Sequence, residues 1–195
     1  MSHHPFKPAW WLPGSHLQTL WPVFCRGEIK NLSLERERLE LPDGDFIDLD
    51  WMGKQQSGPL VLILHGFEGS IHSHYAKGML QAIGKQGWRG VFMCFRGCSG
   101  EPNRLERFYH HGATEDLGAV IDHVASLNRY TEIVLIGVSL GGNMTLKYLG
   151  EQGSQILTSI KKAVAISSPC DLLGSVPLLQ DGKINRLYAQ RFKRK

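Results

Sequence analysis

Apolar positions along the chain fall into four short continuous runs: Leu60–Leu64, Gly90–Phe95, Ile133–Ile136 and Ala163–Ile166. A run without polar alternation is the mark of a strand covered on both faces. Between the runs the spacing turns helical. One helix is expected from about Tyr75 to Lys85, closed by Gly87. A second runs from Thr114 as N-cap through Leu127, with Glu115 and Asp116 favourable in its first turn. A third covers Leu140 to Gly150. Ahead of these, Leu32–Leu41 alternates partly, as a half-exposed strand does, and Phe46–Trp51 reads as its return strand. Pro42-Asp43-Gly44-Asp45 makes the turn between them. The first thirty residues, rich in Pro, Trp and Gly, read as an irregular arm.

Strands alternating with helices after an opening hairpin predict an α/β fold, a mostly parallel sheet with helices on both faces. The chain divides into an arm (1–31), an α/β core (32–170) and a last segment (171–195) that ends in the basic run Arg191-Phe192-Lys193-Arg194-Lys195. Ligands of such sheets bind beyond the carboxyl ends of the strands. Chemistry is therefore sought in the loops that follow the apolar runs.

Composition narrows the class without changing this picture. At 195 residues, 42% hydrophobic and 21% charged, the chain fits one globular domain. The formal charge of +4 is mild and partly terminal. No stacking platform or groove-reading motif accompanies it, so nucleic acid is not an expected partner. Four cysteines (Cys25, Cys94, Cys98, Cys170) suit a reducing compartment, and Cys94 with Cys98 lacks the second pair a zinc site needs. No metal or cofactor is expected. Met1–Lys7 is polar and no unbroken apolar stretch follows, which predicts a soluble, cytoplasmic protein. Trp10, Trp11 and Trp21 near the start leave peripheral membrane contact open.

The candidate chemistry begins with Gly137-Val138-Ser139-Leu140-Gly141-Gly142, a G-x-S-x-G sequence between an apolar strand and a helix. Glycines two before and two after the serine let the backbone fold back tightly, lifting the Ser139 hydroxyl above the sheet at a helix N-terminus. That terminus offers N–H groups and partial positive charge to an oxyanion. Acyl transfer needs a second donor from elsewhere. His65-Gly66-Phe67-Glu68-Gly69, after the first apolar run, supplies a candidate in the N–H of Phe67, paired with that of Leu140. His65 and Gly66 are read as supporting loop residues. The loop Arg96-Gly97-Cys98-Ser99-Gly100 suits a pocket rim; neither Cys98 nor Ser99 has an evident activating base.

Taken in order, Trp11–Leu20, His65–Gly69, Arg96–Gly100, Tyr109-His110-His111-Gly112 and the serine motif resemble the bacterial YheT-type branch of the α/β-hydrolases, related to mammalian membrane-associated hydrolases. The resemblance covers nearly the whole chain. It implies serine esterase or lipase chemistry on small-molecule carboxylic esters, with acylglycerols or short acyl esters as the substrate class.

In that fold the triad runs Ser, then Asp or Glu, then His. After Ser139 the sequence has no histidine, the last being His123, and offers Glu151, Asp171 and Asp181 as carboxylates. Asp171 is expected to open a turn or helix into the cap region, whose start, by the resemblance, falls in 171–195 together with the basic tail. His72, His74, His110 and His111 lie on loops at the same sheet end, but no spacing orients one as a base. The expectation is an α/β-hydrolase whose last strands and most of whose cap are missing. Two readings stay open: a shortened serine ester hydrolase, or a non-catalytic module binding an acyl ligand or a partner. An open sheet edge at Ala163–Ile166 would invite self-association or a complementing chain.

Overall fold

The computed structural model describes residues 7–25, 27, 29, 32–174 and 177. After a first helix, α1 (Gly14–Cys25), the chain forms the hairpin β1 (Glu35–Glu40) and β2 (Phe46–Met52). There follow β3 (Gly58–Leu64), α2 (Ala76–Lys85), β4 (Arg89–Cys94), α3 (Thr114–Ser126), β5 (Tyr130–Val138), α4 (Leu140–Gln152) and β6 (Ile160–Ile166). Six strands make one sheet in the order β1-β2-β4-β3-β5-β6. The hairpin joins antiparallel through β2 and β4, and β4, β3, β5 and β6 are parallel.

Alternation along the central strands splits the core into two layers. Leu60, Leu62 and Leu64 of β3 share one layer with Leu117 and Val120 of α3 and Met144 and Tyr148 of α4. Val61 and Ile63 point the other way, onto Ala76, Leu80 and Ile83 of α2. This is why β3 reads as uninterrupted apolar sequence: both of its faces are covered, and Leu60–Leu64 are essentially inaccessible. From β3 the chain crosses first to β4 on one side, then to β5 on the other. The reversal opens a crevice at the carboxyl ends of β3 and β5, where ligands bind in open α/β sheets.

Three expectations are corrected. The arm is not wholly irregular: Ser15–Trp21 contains neither Gly nor Pro, long enough for α1 to form between Gly14 and Pro22, and the helix continues past that proline to Cys25. Thr114 does not cap α3. Ala113 occupies the cap position without a side-chain bond, while the Thr114 hydroxyl donates to the Glu151 carboxylate on α4 at 2.6 Å. A charge-assisted bond between helices has displaced a local cap. Finally, the apolar run Ala163–Ile166 of β6 is exposed rather than covered on both faces. Among the described residues it pairs only with β5, and Val164 and Ile166 are exposed. Composition reports what a strand could bury, not which neighbours it has. The basic run Arg191–Lys195 and Asp181 lie outside the described residues.

Candidate active site

β5 ends at Val138 and α4 begins at Leu140, leaving Ser139 alone at the bend with φ 53° and ψ −117°. A non-glycine residue there stores strain, on the order of 1–3 kcal/mol, and persists only where its surroundings impose it. Here they do. The Ser139 N–H donates to the Ile166 carbonyl at 2.8 Å, and the Ser139 carbonyl accepts from Gly142 and Asn143 at 3.0 and 3.1 Å. The backbone is tied on both sides, whereas the hydroxyl has no hydrogen-bond partner among the described residues.

The flanking glycines are needed for space rather than for left-handed backbone. A Cβ on Gly137 would lie 2.3 Å from the Gly141 carbonyl oxygen, and one on Gly141 would lie 2.5 Å from the carbonyl oxygens of Leu64 and His65. The α4 N-terminus is thus pressed against the end of β3. One residue on, a Cβ at Gly66 would meet the Ser139 Cβ at 3.2 Å. The serine therefore faces the turn that follows β3.

That turn is built around His65, which is fully buried. Its Nδ1 lies 2.6 Å from the Gly66 carbonyl, and its Nε2 accepts the Phe95 N–H at 3.0 Å. Donating from Nδ1 and accepting at Nε2 is the pattern of a neutral imidazole. Burial lowers its pKa to about 4, although the Gly66 carbonyl pulls the other way. With both nitrogens engaged, the ring ties the exits of β3 and β4 together. The turn itself closes through Gly69 N–H to the Gly66 carbonyl at 3.0 Å, with Glu68 at φ 50°. The Gly66 N–H donates to the Tyr75 hydroxyl and the Glu68 N–H to the Tyr109 hydroxyl, at 3.1 and 2.7 Å.

On the far side of this turn lies an open cleft of about 740 Å³. Phe67, Ile71, Cys98, Phe108 and Tyr109 supply its apolar wall, and Ser99 and His72 contribute polar edge. Cys98 and Ser99 are thus at the rim. Ser139 is not among the lining residues; Phe67 lines the cleft, and its neighbour Gly66 lies against the serine. The rim loop is anchored by Arg96, buried with its guanidinium 2.8 Å from carboxylates of Asp43, Asp45 and Asp116. Hairpin turn, rim loop and α3 start are held by one cation.

Most of the remaining candidates are engaged elsewhere. His74 stacks edge-on against Tyr75, His110 Nδ1 accepts the Gly112 N–H at 3.0 Å, and His123 faces Glu37. His72 is exposed at the cleft and His111 lies beside His110. Glu151 pairs with Lys147 and Thr114. Asp171 accepts the Gly174 N–H at 2.8 Å, opening a helical turn. Among the described residues no cluster of His, Cys, Asp and Glu is arranged to hold a metal ion. Sequence reasoning missed Tyr75, the Tyr109 hydroxyl and the buried Arg96. Tyr109 stood inside a quoted motif, but nothing in a sequence tells which backbone N–H a phenol will meet.

A six-stranded, mostly parallel sheet with a strained serine at the β5–α4 bend and a glycine turn beside it defines an α/β-hydrolase architecture. The family model described as "alpha/beta hydrolase fold" matches residues 59–194, and the chain belongs to that family. The YheT protein of Escherichia coli strain K12, which carries an esterase name, is 41% identical over 84% of this chain and 48% of its own length. Mouse phospholipase ABHD3 is 33% identical over 77% of this chain and 38% of its own. The chain thus spans about half the length, or less, of these relatives. Among solved structures, an esterase of Pyrococcus furiosus superposes with a TM-score of 0.64 at 21% identity, covering 86% of this chain and 65% of that one. That likeness speaks for the fold alone. No helix among the described residues is long and apolar enough to cross a membrane.

Proposed function

We propose that this chain carries the nucleophile and oxyanion-binding parts of a serine carboxylic-ester hydrolase acting on a lipid-like or short acyl ester. Ser139 Oγ attacks the carbonyl carbon. The bond to the leaving alcohol breaks as the tetrahedral intermediate collapses, leaving an acyl group on Ser139. The N–H groups of Leu140 and Phe67 stabilise the oxyanion, helped by the positive end of α4. Supporting roles fall to His65, Gly66, Gly137 and Gly141, which bring the two donors together. The ester class rests on relatives named esterase, phospholipase and, in Saccharomyces cerevisiae, monoacylglycerol lipase.

One observation carries this reading: Ser139 is held at positive φ with its side chain turned toward Gly66 and its hydroxyl uncommitted. Strain of this kind persists at sites of chemistry. The described residues do not supply the proton acceptor, and this favours a test in which the acceptor is added. With p-nitrophenyl butyrate and imidazole as external base, the chain should gain one butyryl group on Ser139, releasing p-nitrophenolate while imidazole takes the serine proton. The Ser139→Ala variant should gain none. Without imidazole the two should release p-nitrophenolate at the same rate, because loss of the base removes most of a serine site's advantage. Absence of Ser139-dependent acylation with imidazole present would leave the non-catalytic binding module as the reading of this chain.

A further inference from the structure

The turn after β3 begins at Gly66, places Glu68 at φ 50° and closes through the Gly69 N–H to the Gly66 carbonyl. A peptide unit of such a turn can rotate unless it is held. The N–H of Phe67 belongs to the unit between Gly66 and Phe67, whose carbonyl meets His65 Nδ1 and the Gly69 N–H; the units before and after complete its restraint. Each of those is held by a tyrosine. The Gly66 N–H donates to Tyr75 Oη at 3.1 Å, and the Glu68 N–H to Tyr109 Oη at 2.7 Å.

The two phenols arrive from opposite layers of the molecule. Tyr75 precedes α2 and packs against the core on that helix's face of the sheet. Tyr109 packs against the core on the α3–α4 face, its ring 5.2 Å from Phe95 and 6.0 Å from Phe67. Burial raises the pKa of both, so each stays a neutral hydroxyl through the working pH range. Tyr109 also lines the cleft with Phe67, which places one residue in contact with both the turn and the space a ligand would fill.

We propose that Tyr75 and Tyr109 are positioning residues of the oxyanion-binding turn: by accepting the N–H groups on either side, they complete the hold that His65 has on the Gly66–Phe67 unit and keep the Phe67 amide in the direction from which it meets the oxyanion formed at Ser139. The proposal rests on the acyl-transfer reading above and adds residues that reading does not use. Its physical basis is preorganisation. A donor already aimed stabilises developing charge without reorganising, and a turn that must be ordered during the reaction loses that advantage.

The test uses the full chain with p-nitrophenyl butyrate and imidazole, reading Ser139 acylation by intact mass as a function of ester concentration. Tyr109→Phe and Tyr75→Phe keep the rings and remove only the acceptor oxygen. Each should lower the maximal acylation rate about tenfold, less than outright loss of an oxyanion donor, and leave the half-saturating ester concentration unchanged. Amide hydrogen exchange should quicken at Glu68 in the first variant and at Gly66 in the second. A rate within twofold of the unaltered chain in both variants overturns the clamp while leaving the acyl-transfer reading intact. So does a change confined to the half-saturating concentration, because a ligand-binding role would produce that. No Ser139-dependent acylation in the unaltered chain overturns the acyl-transfer reading, and the clamp with it. If one variant fails to fold, the other decides.

Discussion

The chain leaves β3 and β5 at the same end of the sheet, on neighbouring strands, and the two exits use their polar atoms in opposite ways. At the β3 exit both ring nitrogens of His65 are engaged and the residue is wholly buried. At the β5 exit the Ser139 backbone is fully tied, while its hydroxyl has no partner among the described residues. One exit lowers its energy with each bond it makes. The other is held at a positive φ by bonds it makes elsewhere. The lesson is that rigidity and an uncommitted group are supplied by different residues. His65 and the glycines make the frame, and Ser139 is what the frame presents.

Forcing the exits apart should break this division most severely. A Cβ at Gly141 would meet two carbonyl oxygens of β3 and its exit, atoms that cannot swing aside as a side-chain end can. Gly141→Ala should therefore cost upwards of about 3 kcal/mol, read as a fall in the urea midpoint with the slope unchanged. Near-native stability would mean that α4 can back away from β3, and that close approach is not what this glycine provides.

The next effect is set by pH. His65 is held neutral with a folded pKa of about 4, against an ordinary histidine value of 6.5. Between those values the unfolded chain binds the proton and the folded one does not. Stability should therefore rise with pH across the window from about 4 to 6.5 and be lost as pH falls through it, by about 3 kcal/mol at most. Denaturant melts of the chain and of His65→Gln at pH 4.5 and 7.5 check this. An equal slope in both would assign the loss to other groups.

A smaller effect is expected one strand beyond the serine. Among the described residues β6 is an exposed edge, apolar from Ala163 to Ile166 after Lys161 and Lys162, and a second copy of the chain is the partner expected to pair there. Light scattering should show concentration-dependent association, weakened about tenfold, or 1.4 kcal/mol, by Val164→Lys. A monomer at all concentrations would show that this edge needs no partner.

The smallest effect has the opposite sign. Ser139→Gly relieves a left-handed conformation and should raise stability by about 1 kcal/mol while abolishing acylation. A loss of stability would mean that the serine side chain contributes packing that outweighs the strain, and the contrast with His65 would narrow.

What could be read along the chain was whatever repeats locally. Leu60–Leu64 announced a strand covered on both faces because period and composition are properties of the segment itself. The glycines around Ser139 announced a tight bend for the same reason. With the order of strands and helices, this was enough for the fold class and for the candidate serine. Tertiary structure alone decided the rest, because those outcomes depend on atoms distant in sequence. It turned the Thr114 hydroxyl from a cap to Glu151. It buried Arg96 among three carboxylates from two other segments. It also set two tyrosines against the turn beside Ser139. A hydrogen bond is worth making only where its partner arrives, and which partners arrive is settled when the layers pack.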